Sequence, residues 1–341
     1  MAARARRGGG RREDRAVQGR PLVPLLDLTG AFESGHARDR VVDAVRVACE
    51  ELGFLVVTGH GVPDRIVGAA ERAARGFFAL PLEEKLRCAP APGIHRGYIP
   101  MESTTLARAS GRETPPDLCE VFSVNRFDDP DAARRAGLRE GREAFFAPNL
   151  WPAQPADLRQ AFEAYYAAME GLANHLLGLM ALALGLDEDW FDDKVRNHVT
   201  SLTANHYPQL EHPPAPGQLR RGEHTDWGSL TILHHDGEPG LQVRSPDSVW
   251  VDVPHVDGAF IVNLGDLMAM WTNGRWTSTG HRVVVPAGNA GGRLAIAFFH
   301  QPAYDARIEC IPTCTSPDDP PRHPPTTSGE WIESMLERTT D

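Results

Sequence analysis

The chain has 341 residues, 41% of them hydrophobic, and a formal net charge of -11, so a sizeable core can form as one large domain or two small ones. A field of that sign repels phosphates and argues against nucleic acid as a partner. No run of about 18 apolar residues is present, and the opening MAARARRGGGRREDR lacks the apolar stretch of a secretory leader, so a cytoplasmic protein without a membrane partner is expected.

Residues 1–20 are rich in Arg and Gly and have no hydrophobic period, which predicts a disordered basic tail. PLVPLLDL then reads as a short strand. Val41, Val42, Val45, Ala48 and Leu52 recur at helical spacing, predicting a helix over 37–52. In GFLVVTGHGV the pattern turns β-branched, and Pro63-Asp64 offers the start of a second helix that runs toward Leu80. The region 88–155 is punctuated by Pro and Gly and holds one strand, at CEVFSVN. From Asp157 to Leu186 an apolar face persists throughout, predicting a third, long helix.

From residue 198 the pattern becomes short runs rich in Val, Ile, Leu and Thr between turn residues: SLTANHYP, SLTILHHD, GLQVRS, VWVDVP, AFIVNLG, HRVVVP and RLAIAFFH. Short strands at such intervals predict a sandwich or barrel. The expected fold class is α+β, a double-stranded β-helix (jelly-roll) core with flanking N-terminal helices. One domain over 21–341 is expected, divided into a mainly helical part at 21–197, the jelly roll at 198–310 and an extension at 311–341 in which GEWIESMLERTT returns to helix. The cysteines at 49, 88, 119, 310 and 314 form no CxxC pair, so reduced thiols are expected, and Cys310 with Cys314 lacks the second pair of a zinc site.

His224-Thr225-Asp226 opens the strand-rich half, and residues two apart on an extended backbone share a face. His281 follows 55 residues later at the start of HRVVVP, a separation that closure of a jelly roll can bridge. Two imidazoles and one carboxylate on one side of an ion leave the other positions open for water, co-substrate and oxygen, the ligand set of non-haem iron(II) oxygenases. The absence of thiolates argues against structural zinc.

The stretches PLLDL, ELGFLVVTGHGVP, FFALPLEEK, HTDWGSLTILHHDGEPGLQV, VWVDVPHVDGAFIVNLGDLMAMWTNGRWTSTGHRVVVP and RLAIAFF occur in an order that resembles the isopenicillin N synthase-like family of iron(II)/2-oxoglutarate-dependent dioxygenases, from about Pro21 to Phe299. The resemblance implies Fe(2+), 2-oxoglutarate and O2 as metal, co-substrate and oxidant. The implied reaction oxidises an unactivated C–H bond of a small molecule, with hydroxylation expected first and desaturation or cyclisation next, in specialised or amino-acid-derived metabolism. It implies His224, Asp226 and His281 as iron ligands, with Asn205, Tyr207 and Arg293 at the co-substrate site. A guanidinium grips a carboxylate as a planar fork and a phenol adds a third bond. The serine of the family's RxS motif is Ala295 here, which removes one hydroxyl donor.

Arg96, Tyr98, Phe122, Trp227 and Phe298 are the expected substrate walls, by the same resemblance. His206, His234 and His235 are expected outside the metal site, the last two on opposite faces of a strand. The alternatives are an oxidase of the isopenicillin N synthase type that needs no 2-oxoglutarate, and a non-catalytic ligand-binding jelly roll. A monomer or weak homo-oligomer is expected.

Overall fold

The computed structural model describes residues 21–135, 138, 140, 142, 145–287 and 291–340, so the predicted tail at 1–20 lies outside the described residues. The strands are β1 (Leu25–Asp27), β2 (Phe54–Thr58), β3 (Gly97–Ile99), β4 (Glu120–Asn125), β5 (Ser201–Tyr207), β6 (Arg221–His224), β7 (Leu230–His235), β8 (Leu241–Arg244), β9 (Trp250–Asp252), β10 (Phe260–Leu264), β11 (His281–Val283), β12 (Arg293–His300), β13 (Arg307–Ile308) and β14 (Thr326–Thr327). The helices are α1 (His36–Glu51), α2 (Asp64–Phe78), α3 (Leu82–Leu86), α4 (Pro130–Arg135), α5 (Leu158–Ala183), α6 (Asp192–Val195), α7 (Asp266–Trp271) and α8 (Ser328–Thr340).

Eight strands form the major sheet in the order β1-β2-β10-β7-β12-β5-β4-β3, and four form a minor sheet, β6-β11-β8-β9. The predicted jelly roll with helices ahead of it is the observed fold. Only β1 and β2 pair in parallel in these two sheets. In the N-terminal part β1, β2 and β4 fall within PLVPLLDL, GFLVVTGHGV and CEVFSVN as read, β3 is an addition, and together they extend the major sheet at both edges.

Alternation along the strands sorts side chains between two environments. On β12, Leu294, Ile296 and Phe298 join Leu202 and Ala204 of β5, Phe122 of β4 and Ile232 of β7 in one apolar cluster. Helix α5 closes that face with Phe162, Tyr165, Met169, Ala173, Leu176 and Met180. Burial on both faces explains why β10 and β12 read as nearly continuous apolar runs. The opposite residues of the same strands, Arg293, Ala295, Ala297 and Phe299 on β12 with Thr203, Asn205 and Tyr207 on β5, turn toward the minor sheet and line a cavity. A single large sheet thus carries a helix-packed face and a chemically active one.

Candidate metal centre and active-site cavity

His224 ends β6 and His281 begins β11, and the two are register partners in the minor sheet. Their rings lie 4.3 Å apart between centroids. Asp226 follows β6 by two residues, in the connection to β7 rather than on the strand itself. Its Oδ1 lies 3.9 Å from His224 Nε2 and 3.7 Å from His281 Nε2. The three ligand atoms fall within 4.8 Å of one another, a spacing that one divalent cation can bridge.

Each ligand is oriented by a second contact. His224 Nδ1 pairs with the Gly222 carbonyl at 2.8 Å and His281 Nδ1 with the Thr279 carbonyl at 3.2 Å, which makes each Nδ1 the donor and leaves both Nε2 atoms free for a metal. Asp226 Oδ2 accepts from the Thr231 hydroxyl at 2.5 Å and from Asn263 Nδ2 at 2.7 Å, so Oδ1 is the oxygen left over. The backbone around Asp226 is fixed from α7, where the amide of Asp266 donates to the Asp226 carbonyl at 2.8 Å. Only glycine fits at the crossing, since a Cβ on Gly265 would stand 2.3 Å from the Gly228 carbonyl oxygen.

The electrostatics suit ligation. Burial, helped by the facing His281, pushes the His224 imidazole down to about 3, so it is neutral at physiological pH. For Asp226 burial acts upward, but the two imidazoles and the donors Thr231 and Asn263 outweigh it and lower the carboxyl. A neutral imidazole and an ionised carboxylate are the states that bind a cation.

The cavity above the triad has a volume of about 460 Å³. At one part of it Arg293 on β12 is paired in register with Tyr207 on β5. Arg293 is 1% exposed; its Nε donates to the Glu238 carbonyl at 3.2 Å, and its Nη2 is buried with no hydrogen-bond partner. Burial raises the Tyr207 phenol, which stays a protonated donor. Ala295 faces Asn205 across the same strand pair and sits among Val121, Tyr207, Leu241 and Val283. Asn205 presents its carbonyl oxygen to Arg221 Nη2 at 3.0 Å.

Of the expected substrate walls, Arg96 and Trp227 line the cavity. Tyr98, Phe122 and Phe298 do not: the strand pleat turns them to the helical face. There Phe122 packs on Phe77 and Phe162, Phe298 packs on Tyr166, and the Tyr98 hydroxyl donates to Glu120 Oε2 at 2.6 Å. His206 also faces that side, stacked on Phe78 and bonded to Glu120. His234 lies by Glu71 and His235 by His255, on opposite faces of β7 as alternation requires. Thr231, Asn263 and Arg221 are site residues that the motifs do not reveal. Thr231 and Asn263 belong to runs read only as strands, and their role appears once β10 is known to lie beside β7.

Residues 23–154 match the family described as non-haem dioxygenase in morphine synthesis N-terminal, and residues 199–302 match the 2OG-Fe(II) oxygenase superfamily. A 2-oxoglutarate-Fe(II) type oxidoreductase of Emericella nidulans is 33% identical over 324 residues, covering 93% of this chain and 90% of that protein. The chain belongs to the iron(II)/2-oxoglutarate-dependent dioxygenases. Validamycin A dioxygenase of Streptomyces hygroscopicus subsp. limoneus is 32% identical to this dioxygenase, covering 85% of this chain and 79% of its relative. The crystal structure of a full-length Neurospora crassa protein in complex with alpha-KG superposes with a TM-score of 0.79 at 27% identity, covering 92% of this chain and 96% of that one. Iron(II) and 2-oxoglutarate are the metal and co-substrate of this dioxygenase, and its donor set fits both. The triad offers two nitrogens and one oxygen, and a buried guanidinium with an unpartnered Nη2 awaits an anion in the same cavity.

Proposed function

We propose that this dioxygenase hydroxylates an unactivated C–H bond of a small molecule, with His224, Asp226 and His281 holding iron and Arg293 and Tyr207 gripping the distal carboxylate of 2-oxoglutarate. The single observation that carries this reading is the cavity that places the triad and the Arg293–Tyr207 pair on the facing surfaces of one jelly roll. When bound, iron and 2-oxoglutarate supply the oxidising power: oxygen and the keto acid go to succinate and carbon dioxide while the substrate is oxidised.

The chain's own residues do three things. Thr231 and Asn263 hold Asp226 so that one carboxylate oxygen stays directed at the metal. Arg293 and Tyr207 fix one end of the co-substrate, while Asn205 positions Arg221 beside it. Phe299, Ala297, Val199 and Trp227 give an apolar lining that excludes water from the reacting carbon.

Substrate identity does not follow from overall likeness. Relatives at 32–33% identity include proteins called validamycin A dioxygenase and naringenin,2-oxoglutarate 3-dioxygenase, two unlike molecules. A cytoplasmic setting and a monomeric or weakly associating state belong to the same proposal, and the free cysteines, four of them buried, support a reducing compartment. The test is oxygen uptake by iron-loaded enzyme with and without 2-oxoglutarate, with succinate quantified against product. One succinate per product is expected. Product without succinate assigns the enzyme to the oxidases that draw all electrons from substrate, and iron retention without turnover on any substrate assigns it to non-catalytic binding.

A further inference from the structure

Three arginines, Arg96, Arg221 and Arg293, line the cavity, against one carboxylate, the metal ligand Asp226. Their positions in the charge balance differ. Arg221 lies 3.6 Å from Asp117, which is itself buried. Arg293 is the partner proposed for 2-oxoglutarate. With iron(II), the ionised Asp226, dianionic 2-oxoglutarate and Arg293 all counted, the metal end is neutral, and Asp117 offsets Arg221. Arg96 is left over.

Arg96 is 5% exposed, and no carboxylate among the described residues comes within 4.0 Å of it. Its Nη1 donates to the His95 carbonyl at 2.7 Å and its Nη2 to the Phe145 carbonyl at 3.0 Å, while Nε is buried with no partner. Burial pushes the guanidinium down to about 10, the direction of a cation without a counter-ion. A buried unpaired charge is costly, and a ligand that supplies the opposite charge recovers that cost on binding. The carbonyl of Phe145 also accepts from Asn125 Nδ2 at 2.9 Å, so the acceptor that aims the guanidinium is itself fixed.

Strand register separates this cation from the co-substrate end. Gly97, the next residue, lies on the row Ser123, Thr203, Ala297. Arg96 therefore stands level with Phe298, five rows from the Arg293–Tyr207 pair, on the order of 15 Å along the strands. It is one row from Phe299 and Thr231, the level of the residue that orients Asp226. Across the sheet β3 lies four strand spacings from β7, roughly 19 Å before side chains reach inward. The lining contributed by Ile99, Val199, Phe299, Trp227 and Ile332 is apolar.

We propose that the substrate is a small carboxylic acid with an apolar body, bound by Arg96 through its carboxylate so that a carbon remote from the acid group lies at the metal. One leftover positive charge, with Nε still unpartnered, fits a monoanion better than a phosphate, whose second charge would find no partner. This inference rests on the dioxygenase reading and specifies its substrate.

The experiment uses anaerobic, iron-loaded enzyme with 2-oxoglutarate, titrated calorimetrically with phenylacetate, 4-phenylbutyrate and decanoate, each against its primary amide. At least one acid is expected to bind about tenfold or more tighter than its amide, the range of a charge-assisted bond. In Arg96→Gln that preference collapses while 2-oxoglutarate binding, titrated separately, is unchanged; Arg96→Lys retains part of it. Should Arg96→Gln not fold, the wild-type acid and amide pairs decide alone. No acid preferred over its amide in enzyme that binds 2-oxoglutarate, or a preference that persists in Arg96→Gln, overturns the substrate assignment. Failure to bind 2-oxoglutarate at all strikes the underlying reading instead.

Discussion

Asp226 uses its two carboxylate oxygens for different tasks, and the division is set by Thr231 and Asn263 on neighbouring strands. Removing Asn263 by Asn263→Ala leaves the triad intact but frees the carboxylate to rotate. Iron affinity is expected to fall about tenfold to a hundredfold, read by competition with a chelator, with little change in melting temperature. Asp226→Ala should abolish iron-dependent turnover. On the co-substrate side, Arg293→Ala is expected mainly to raise the 2-oxoglutarate concentration needed for half-maximal rate; an unchanged requirement would show the guanidinium serves another group. Ala295→Ser restores a hydroxyl facing the cavity beside Arg293. A gain of about 1 kcal/mol, roughly fivefold in 2-oxoglutarate affinity, is expected if that hydroxyl reaches the carboxylate. A loss would mean the methyl's packing against Val121, Leu241 and Val283 matters more than the bond.

The elements show what can be read from the residues alone. Helices α1, α2, α5 and α8 are visible from helical spacing or propensity, and seven strands from β5 onward because short runs rich in Val, Ile, Leu and Thr are set off by turn residues. Strand β6, which carries His224, is hidden: RGEH is polar and short, and only pairing to β11 makes it a strand. Tyr98, Phe122 and Phe298 are misplaced for a related reason. Nearness to a motif does not say which way the pleat turns, and in a sheet buried on both faces apolar residues occupy either side. The helical side of β4 hides a charged group as well. Glu120 accepts from Lys85 at 2.7 Å and from Tyr98 at 2.6 Å through Oε2, and pairs with His206 at 2.8 Å through Oε1. Burial raises its carboxyl, but His206, Lys85 and Tyr98 outweigh that and hold it below the usual range. Its contribution is therefore full above the ordinary carboxylate value of about 4.3 and is lost as pH falls through the lowered folded value. Glu120→Gln strands Lys85 and should cost about 3 kcal/mol at neutral pH. Denaturant unfolding of the two proteins from pH 7 downward should show a steady gap that closes below about pH 4. A gap independent of pH would show that the charge is not what stabilises.

For the molecule as a whole, the cavity is closed by chain segments far apart in sequence. The jelly roll supplies the metal ligands, the β3 edge supplies Arg96, and α8 supplies Ile332 and Leu336 to the same lining. Helix α8 is tied down by the Tyr304 hydroxyl, which donates to Glu333 at 2.9 Å, and by Ile332 packing in a cluster with Phe145, Phe146 and Val199. None of these contacts touches the triad or the Arg293–Tyr207 pair. Deleting residues 328–341 should therefore leave iron and 2-oxoglutarate binding near wild type, while removing an apolar wall that keeps water from the reacting carbon. The expected result is a higher ratio of succinate to oxidised product, because co-substrate turnover then proceeds without a substrate carbon held in place. Equal coupling in the truncated and full chains would mean that the strands and the loop carrying Trp227 seal the site unaided. A collapse of iron binding would instead show that α8 supports the minor sheet through the short helical turn at Leu106–Ser110, against which both α8 and β6 pack.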